Sequence, residues 1–193
     1  NPLEKQNTIY KVDANSGLMS PYVQIPMDVL PGSFNPFGLL GSFYDCSTSQ
    51  LIVSTVAGSS ENREIGKVCK IDIKTKEITT LIDHKDIYGL ALHIHQGKRI
   101  LYLSSARTSK LYSLELDDRN NPIGTLKEEF SISGLGPRGD DKIRKIRFTS
   151  DGKMQLFTVL FYYNLTSPSE EQQNQMYFVY NSIKKNWKLS GIE

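Results

Sequence analysis

Cysteine, histidine and tryptophan are scarce in this chain. Among its 193 residues there are two cysteines, three histidines and one tryptophan. Two cysteines are too few for a disulfide framework, and Cys46 and Cys69 do not have the spacing of metal ligands. In the predicted strands they lie two strand spacings apart, about 9–10 Å, which is beyond disulfide reach. We therefore expect free, partly buried thiols.

Long apolar runs and a strong charge of either sign are also missing. No stretch approaches the ~20 apolar residues that cross a bilayer, so we expect no membrane span. The formal net charge is only +2, which is too small to attract nucleic acid over a distance. We interpret the one basic cluster as a solvated rim and keep a phosphate-binding patch as the alternative; its residues are Lys142, Arg144, Lys145 and Arg147.

The common signatures of catalysis and export are absent as well. No Gly-x-Ser-x-Gly elbow, P-loop, HExxH or CxxC motif occurs. The chain starts at Asn1-Pro2 with neither an initiator methionine nor an apolar signal core. That start resembles a processed or truncated product, so we expect an N-terminal part to be missing. The compartment is unknown from the sequence, with an extracytoplasmic location slightly favoured.

One five-residue pattern occurs four times along the chain. Its first and fourth residues are apolar, its second is aromatic or cysteine, and a polar, turn-like stretch follows it. The copies are residues 9–13, 68–72, 111–115 and 176–180. Self-similarity at roughly 45–65 residues is typical of a repeat architecture.

Alternation of apolar and polar residues with period two predicts strands throughout the chain. The strands form three units of four, at about 37–82, 88–132 and 143–189, and two further strands at 8–13 and 22–25 suggest an incomplete unit. Four antiparallel strands per repeat are typical of a β-propeller, in which small twisted sheets bury both faces against their neighbours. The sequence thus predicts an all-β fold in one domain or fragment covering 1–193, with three complete blades and a partial N-terminal blade.

The chain resembles the NHL, YncE and SMP-30 type β-propellers. The resemblance rests on Asn35-Pro36-Phe37-Gly38-Leu39, on Asp86-Ile87-Tyr88-Gly89-Leu90, and on Leu101-Tyr102-Leu103-Ser104-Ser105 followed by Ser109-Lys110-Leu111-Tyr112. The chain departs from NHL blades at the end of the second strand, where Ser54-Thr55 and Ser104-Ser105 replace a frequent aspartate.

This resemblance has two implications. These propellers commonly have six or seven blades, so either N-terminal blades are missing, two chains associate to complete a ring, or the array is open. In SMP-30-like lactonases a divalent cation is held by Glu, Asn and Asp in the channel. The matching positions here offer Asn35, Asp86 and Asp141 as ligands of Ca²⁺ or another divalent cation, but no glutamate.

The loops at one end of a propeller usually carry its binding site. The candidate ligand-binding residues there are Asn35, Asp86, Arg107, Arg138, Asp140 and Asp141. The Asp140 and Asp141 carboxylates could ligate a cation or accept backbone N–H groups in a turn. We interpret His93 and His95 as a packed or surface pair, although they could bind a metal.

We carry two functions forward from the sequence. The first is a non-enzymatic binding or scaffold module that needs no cofactor and contacts a protein partner or a small ligand through its loop face. The alternative is a metal-dependent lactonase or esterase, in which the metal polarises the substrate carbonyl. The sequence also offers an N-glycosylation acceptor at Asn164-Leu165-Thr166 and a polar segment at 167–175.

Overall fold

The computed structural model describes residues 5–26, 35–163 and 173–193. Within these ranges the chain is all-β and contains no α-helix. No helix in this part of the chain has the length and apolar character needed to cross a membrane. The prediction of an all-β fold is confirmed.

In the described part of the chain, fourteen strands form four antiparallel sheets. The N-terminal pair consists of β1 (Thr8–Val12) and β2 (Met19–Gln24). The first sheet contains β3 (Leu39–Asp45), β4 (Gln50–Thr55), β5 (Lys67–Asp72) and β6 (Ile78–Ile82). The second sheet contains β7 (Ile87–His95), β8 (Lys98–Ser105), β9 (Lys110–Leu116) and β10 (Lys127–Ser131). The third sheet contains β11 (Lys142–Phe148), β12 (Met154–Val159), β13 (Asn174–Asn181) and β14 (Asn186–Ile192).

Several predicted strand limits need correction. β2 begins three residues earlier than expected and includes Pro21, which is tolerated in a two-stranded sheet because each strand lies at an edge. The run 154–163 was predicted as one strand, but β12 ends at Val159, because Phe161 and Tyr163 join an aromatic cluster at the loop end. The last strand was predicted at 187–189, but β14 pairs with β13 as far as Ile192.

Hydrophobic clusters between the sheets hold the stack together. Along β8, Leu101 and Leu103 face the first sheet, while Ile100 and Tyr102 face the third. Along β4, Ile52 faces the second sheet and Val53 faces the N-terminal pair. Period-two alternation puts apolar side chains on both faces of a strand in this way. Each central sheet is therefore covered on both sides, as blades are in a propeller.

Glycines let the innermost strands approach each other closely. A Cβ atom on Gly41 would lie 2.8 Å from the Tyr88 carbonyl oxygen, and one on Gly89 would lie 2.7 Å from that of Arg144. The Gly41 and Gly89 N–H groups donate to the hydroxyls of Ser54 and Ser104, at 3.0 and 2.8 Å. These serines satisfy the N–H groups where the inner strand bulges.

The face of the third sheet that is turned away from the second sheet is more polar and bulkier than the matching faces of the other two sheets. Where β7 and β8 have Gly89 beside Ser104, the register of β11 and β12 places Lys145 opposite Phe157. The next pair outward is Arg147 with Gln155, whereas the first and second sheets have apolar pairs there, Phe43 with Ile52 and Ala91 with Tyr102. Another sheet stacked on this face in the same way would meet charged and bulky side chains. The completion of a ring by self-association stays a prediction.

A polar clamp joins the first and second sheets at the turn between β3 and β4. The Arg99 guanidinium donates to Asp45 at 2.5 Å, and the Asn120 amide donates to the same carboxylate at 2.9 Å. Burial alone would raise the pKa of Asp45, but hydrogen bonds from Asn120, Ser47 and Thr48 hold it well below its usual range. The carboxylate therefore stays ionised and ties the two sheets together.

The cysteines, two of the histidines and the basic cluster can now be placed in the fold. Both cysteines are free as expected, but Cys46 is exposed and only Cys69 is buried. His93 and His95 are packed against aromatic rings. The ring centroids of His93 and Phe148 are 3.9 Å apart, and those of His95 and Tyr180 are 4.2 Å apart. In the basic cluster, Arg144, Lys145 and Arg147 are exposed, in keeping with a solvated rim.

We expect Gly89→Ala to lower the free energy of unfolding by about 1–3 kcal/mol, the usual range for overpacking. Its Cβ would press on backbone that cannot move aside. The matched control is Gly191→Ala, whose Cβ would have no neighbour within 4 Å, and its effect should stay within about 0.5 kcal/mol. Urea unfolding of both variants checks this, and equal effects would contradict the close approach of the inner strands.

Candidate functional site

The candidate site lies at the end of the stack where the second strand of each sheet leads to the third. An apolar cluster closes this end with Val56, Ala106 and Phe161 at its centre, packed by Phe37, Leu40, Tyr88 and Tyr163. The Phe161 ring contacts rings from two other sheets, with centroid distances of 5.2 Å to Phe37 and 4.7 Å to Tyr88. The loop end is therefore a packed platform that all three sheets share.

A single buried carboxylate organises the polar side of this platform. Asp86 is fully buried just before β7. Its Oδ1 accepts the Ser59 hydroxyl at 2.6 Å and the Gly66 N–H at 2.9 Å. Its Oδ2 accepts the Arg107 Nε–H at 2.8 Å and the Tyr163 hydroxyl at 2.5 Å. Four donors thus use both carboxylate oxygens, which meets the condition for burying a charge.

Arg107 extends this network to the loop between β4 and β5. Its guanidinium donates to the carbonyl oxygens of Glu61 at 2.8 Å, and of Ser60 and Arg63 at 2.5 Å each. It also lies over the Tyr163 ring, with its Cζ 5.0 Å from the ring centroid. The side chain that the sequence suggested as a ligand-binding arginine thus fixes two loops to one buried aspartate.

Tyr163 was missed as a site residue, because its sequence context suggests core or blade-interface packing. Burial and the hydrogen bond to Asp86 both raise the pKa of the Tyr163 phenol. The hydroxyl therefore stays protonated and donates to the carboxylate at neutral pH. No spacing in the sequence joins residues 77 positions apart, so only the packing of the third sheet on the second could show this contact.

A second buried carboxylate, Asp141, lies just before β11 and pairs with Arg138. Arg138 donates to both oxygens of Asp141, at 2.6 and 2.8 Å, and Thr158 and Asn174 each donate at 2.9 Å. Burial alone would raise the pKa of Asp141, but the hydrogen bonds from Arg138, Asn174 and Thr158 hold it below its usual range. Asp140 is exposed, and its carbonyl oxygen accepts a bond from Lys142. Asp141 thus binds neighbouring side chains, whereas the sequence suggested a cation or backbone N–H groups as its partners.

Asn35 has a third, separate set of partners. Its amide donates to the Val56 carbonyl at 2.8 Å, and its side-chain oxygen accepts the Phe37 N–H at 2.8 Å. The structure thus brings Asp86 together with Arg107 and Asp141 with Arg138, while each of the three metal-site candidates has its own hydrogen bonds. Among the described residues no group of three or more His, Cys, Asp or Glu side chains could hold a metal. The cation site stays a prediction from the resemblance, without support here.

A cavity of about 260 Å³ opens beside the Asp86 network. Phe161, Tyr162 and Tyr163 provide its aromatic wall, and Arg107, Lys142 and Glu61 its charged rim. Tyr162 is 44% exposed although it lies between two packed rings. The loop residues 31–34 and the segment 164–172, including the glycosylation acceptor, lie outside the described residues.

No protein family model matches the chain, and no curated protein matches its sequence. Solved structures do match its fold. A chain of the nidogen/laminin complex is similar with a TM-score of 0.56 and 13% identity over 97% of this chain and 59% of that one. The endo-arabinase of Bacteroides thetaiotaomicron is similar with a TM-score of 0.51 and 11% identity, over 96% of this chain and 79% of that one. TolB of Acinetobacter baumannii is similar with a TM-score of 0.51 and 12% identity, over 94% of this chain and 37% of that one.

The matched structures are β-propeller proteins. With three fanned four-stranded sheets and these neighbours, the chain has a β-propeller fold, as its sequence predicted. Identities of 11–13% show the fold alone, and they do not single out the NHL, YncE and SMP-30 families. The chain spans 59% of the matched nidogen/laminin chain and 37% of TolB.

Removal of one hydroxyl tests the Asp86 network. Tyr163→Phe should lower the free energy of unfolding by about 1.5–3 kcal/mol, because it deletes a hydrogen bond to a buried charge. Tyr162→Phe is the matched control, since the Tyr162 side chain is exposed, and it should change stability by less than about 0.5 kcal/mol. Chemical denaturation measures both, and a neutral Tyr163→Phe would show that the contact contributes nothing.

Acid sensitivity tests the Asp141 pair. The pKa of Asp141 is lower in the folded protein than its ordinary 3.8, so the unfolded state binds more protons once the pH falls below about 4. The stability that Asp141 contributes is present above that pH and is lost as the pH falls toward the folded pKa. On the acid side, a plot of the free energy of unfolding against pH has a slope to which Asp141 contributes, and we call this part of the plot the acid limb. Asp141→Asn should reduce that slope by up to about 1.4 kcal/mol per pH unit.

The control for the acid limb is Asp140→Asn, because the Asp140 side chain is exposed. Its dependence of stability on pH should follow that of the unaltered protein. Denaturant unfolding at a series of pH values between about 2.5 and 6 covers the window. An unchanged acid limb in Asp141→Asn would show that the pair does not hold the carboxylate ionised.

Proposed function

We propose that this chain is a non-enzymatic β-propeller binding module that contacts a protein partner through its loop end. The observation that carries the proposal is the Asp86 network, whose four donors fix the loops around an exposed aromatic residue. Loops fixed before binding lose little conformational entropy when a partner docks. Both oxygens of Asp86 already accept hydrogen bonds, which suits a positioning role better than proton transfer.

The composition of the surface favours a protein partner over a small ligand. Tyrosine and arginine are enriched at the energetic centres of protein interfaces, and Tyr162 stands exposed beside Arg107. The cavity of about 260 Å³ is smaller than the roughly 300–1,000 Å³ of small-molecule sites. A partner side chain could fill it, with Lys142 and Glu61 at the polar rim.

A photo-reactive amino acid at the site tests this function. We expect p-benzoylphenylalanine in place of Tyr162 to form a discrete protein adduct in extracts of the source cells. The control position is Ile183, which is 94% exposed on the turn at the opposite end of the third sheet. An excess of unlabelled protein should suppress the adduct at position 162, while an excess of Tyr162→Asp protein should not.

The outcomes separate the proposal from simple exposure. Adducts of equal yield at positions 162 and 183, or competition by Tyr162→Asp as strong as by the unaltered protein, would show no specific docking at the loop end. An adduct formed only with a second copy of this chain would redirect the proposal to the predicted self-association. Nothing in the described residues favours the metal-dependent hydrolase as a second candidate.

A further inference from the structure

The positive charge of this chain is concentrated in its third sheet. Residues 142–193 contain eight lysines and arginines and four aspartates and glutamates, whereas residues 1–141 contain fifteen basic and seventeen acidic residues. Two of the four acids, Asp151 and Glu193, lie among the described residues, and Asp151 is already paired with Lys153 at 2.7 Å. An asymmetry of charge between parts of a chain is typical of proteins that bind an anionic surface.

The turn between β13 and β14 can be compared with a matching turn in the first sheet, between β5 and β6. There, Asp72 Oδ1 accepts the N–H groups of the second and third residues after it, both at 2.8 Å. In the third sheet, Asn181 Oδ1 accepts the corresponding N–H groups at 3.1 and 2.9 Å. The fourth residue has a positive φ in both turns, 63° at Lys76 and 50° at Lys185. The two turns therefore match residue by residue.

The matched positions differ in charge and in polarity. The carboxylates at the two ends of the first-sheet turn are replaced by the amides of Asn181 and Asn186. A lysine at the apex is replaced by Ile183, whose side chain is 94% exposed. Among the described residues, the neighbouring Lys184 and Lys185 have no carboxylate partner. The turn of the third sheet therefore presents an apolar apex beside two uncompensated positive charges.

Two further cations lie on the face of the third sheet that is turned away from the second sheet. Lys145 Nζ and Arg147 Cζ lie 6.0 and 5.3 Å from the centroid of the Phe157 ring. Phe157 is only 9% exposed, whereas Lys145 and Arg147 are exposed. Their aliphatic stems therefore lie on the ring and their charged ends remain in solvent. Neither cation has a carboxylate partner in the described ranges.

The same face continues to the outer strands. Gln155 lies opposite Arg147 and donates to the Tyr177 hydroxyl at 3.0 Å, so Tyr177 is on this face. Residues two apart in a strand share a face, which adds Val179, 41% exposed, and places the exposed Lys188 opposite it. We call the exposed cations of this face and of the turn the basic surface, which consists of Lys145, Arg147, Lys184, Lys185 and Lys188.

The exposed aliphatic side chains decide which anionic partner fits best. A nucleic acid would pair with the lysines, but it binds without sequence preference through stacking on exposed rings, and the Phe157 ring is covered. It offers no apolar surface to Ile183. An anionic bilayer offers charged headgroups with hydrocarbon directly beneath them. A fluid layer also accepts an isolated apolar apex, whereas a protein partner needs a fitted pocket for it.

We propose that the third sheet docks this protein on the surface of an anionic lipid bilayer. Ile183 inserts among the headgroups, and the cations of the basic surface pair with lipid phosphates and carboxylates. The docking is peripheral and reversible, because each cation near the surface strengthens binding only about five-fold. The turn lies at the end of the stack opposite the Asp86 network, so this proposal is independent of the loop end.

Sedimentation with lipid vesicles tests the docking. We expect the protein to sediment with vesicles of phosphatidylcholine that contain about 30% phosphatidylserine, and to remain in solution with vesicles of phosphatidylcholine alone. Binding should fall as the salt concentration rises above about 0.1 M, because the Debye length shortens. Oligothymidylate and polyglutamate, measured at the same salt concentration, are the probes for a nucleic acid and for an acidic protein.

The two matching turns supply a pair of double variants with the same net charge. Lys184→Gln with Lys185→Gln should weaken binding to the phosphatidylserine vesicles about twenty-five-fold, since it removes two charges at about five-fold each. Lys74→Gln with Lys76→Gln removes the same charge from the first sheet and should bind like the unaltered protein. Thermal unfolding verifies that both double variants are folded.

The apolar apex has a matched control as well. Ile183→Ser should weaken binding about ten-fold, because the apolar area that leaves water on insertion is lost. Leu18→Ser is the control, since Leu18 is 72% exposed on the turn of the N-terminal pair, outside the basic surface. Its affinity for the vesicles should equal that of the unaltered protein.

Four results would overturn the proposal. The first is no binding to the phosphatidylserine vesicles, and the second is equal binding to both kinds of vesicle. The third is tighter binding to oligothymidylate or to polyglutamate than to the vesicles. The fourth is an equal loss of binding in the two double variants, which would show an effect of net charge alone. A lipid partner forms no protein adduct at position 183, so the photo-crosslinking control for the loop end is unaffected.

Discussion

The structure depends on one constraint, which is that each central sheet is apolar on both faces. Strand β8 shows it most clearly, with Leu101 and Leu103 directed to one side and Ile100 and Tyr102 to the other. A sheet of this kind is stable only between two neighbours, because exposure of either face would return apolar surface to water. The stack of fanned sheets, its central axis and its two loop ends all follow from that requirement.

Stacking brings polar side chains together where the sheets meet, and there the burial of charge decides the geometry. The buried Asp86 carboxylate inside the loop end accepts hydrogen bonds from four donors in three parts of the chain. Asp45 has the same role at the other end, where Arg99 joins the first sheet to the second. These contacts fix the loops in place. The site they hold is a platform with a set shape, which is the property that a recognition surface needs.

Sequence reasoning succeeded where the signal was local and repeated. Period-two alternation predicted the strands, and punctuation by glycine and polar turns predicted their grouping in fours. It could not show which side chains act across sheets. Arg107 and Asp86 were both named as ligand-binding residues, yet they bind each other. Tyr163 was not among the predicted site residues, yet its hydroxyl completes the network. Such roles depend on which sheet lies opposite, and no spacing along one chain encodes that distance.

The amino-acid sequence by itself determined an all-β chain of four-stranded repeats, since alternation and turn chemistry are properties of neighbouring residues. Only the tertiary structure decided which charges pair, where the rings of Phe161 and Trp187 lie, and where cavities remain between the sheets. It also showed that Lys145 and Phe157 occupy the positions that glycine and serine hold in the other two sheets. The physical reason is that burial and hydrogen-bond satisfaction are set by residues far apart in the chain, which meet only once the sheets are stacked.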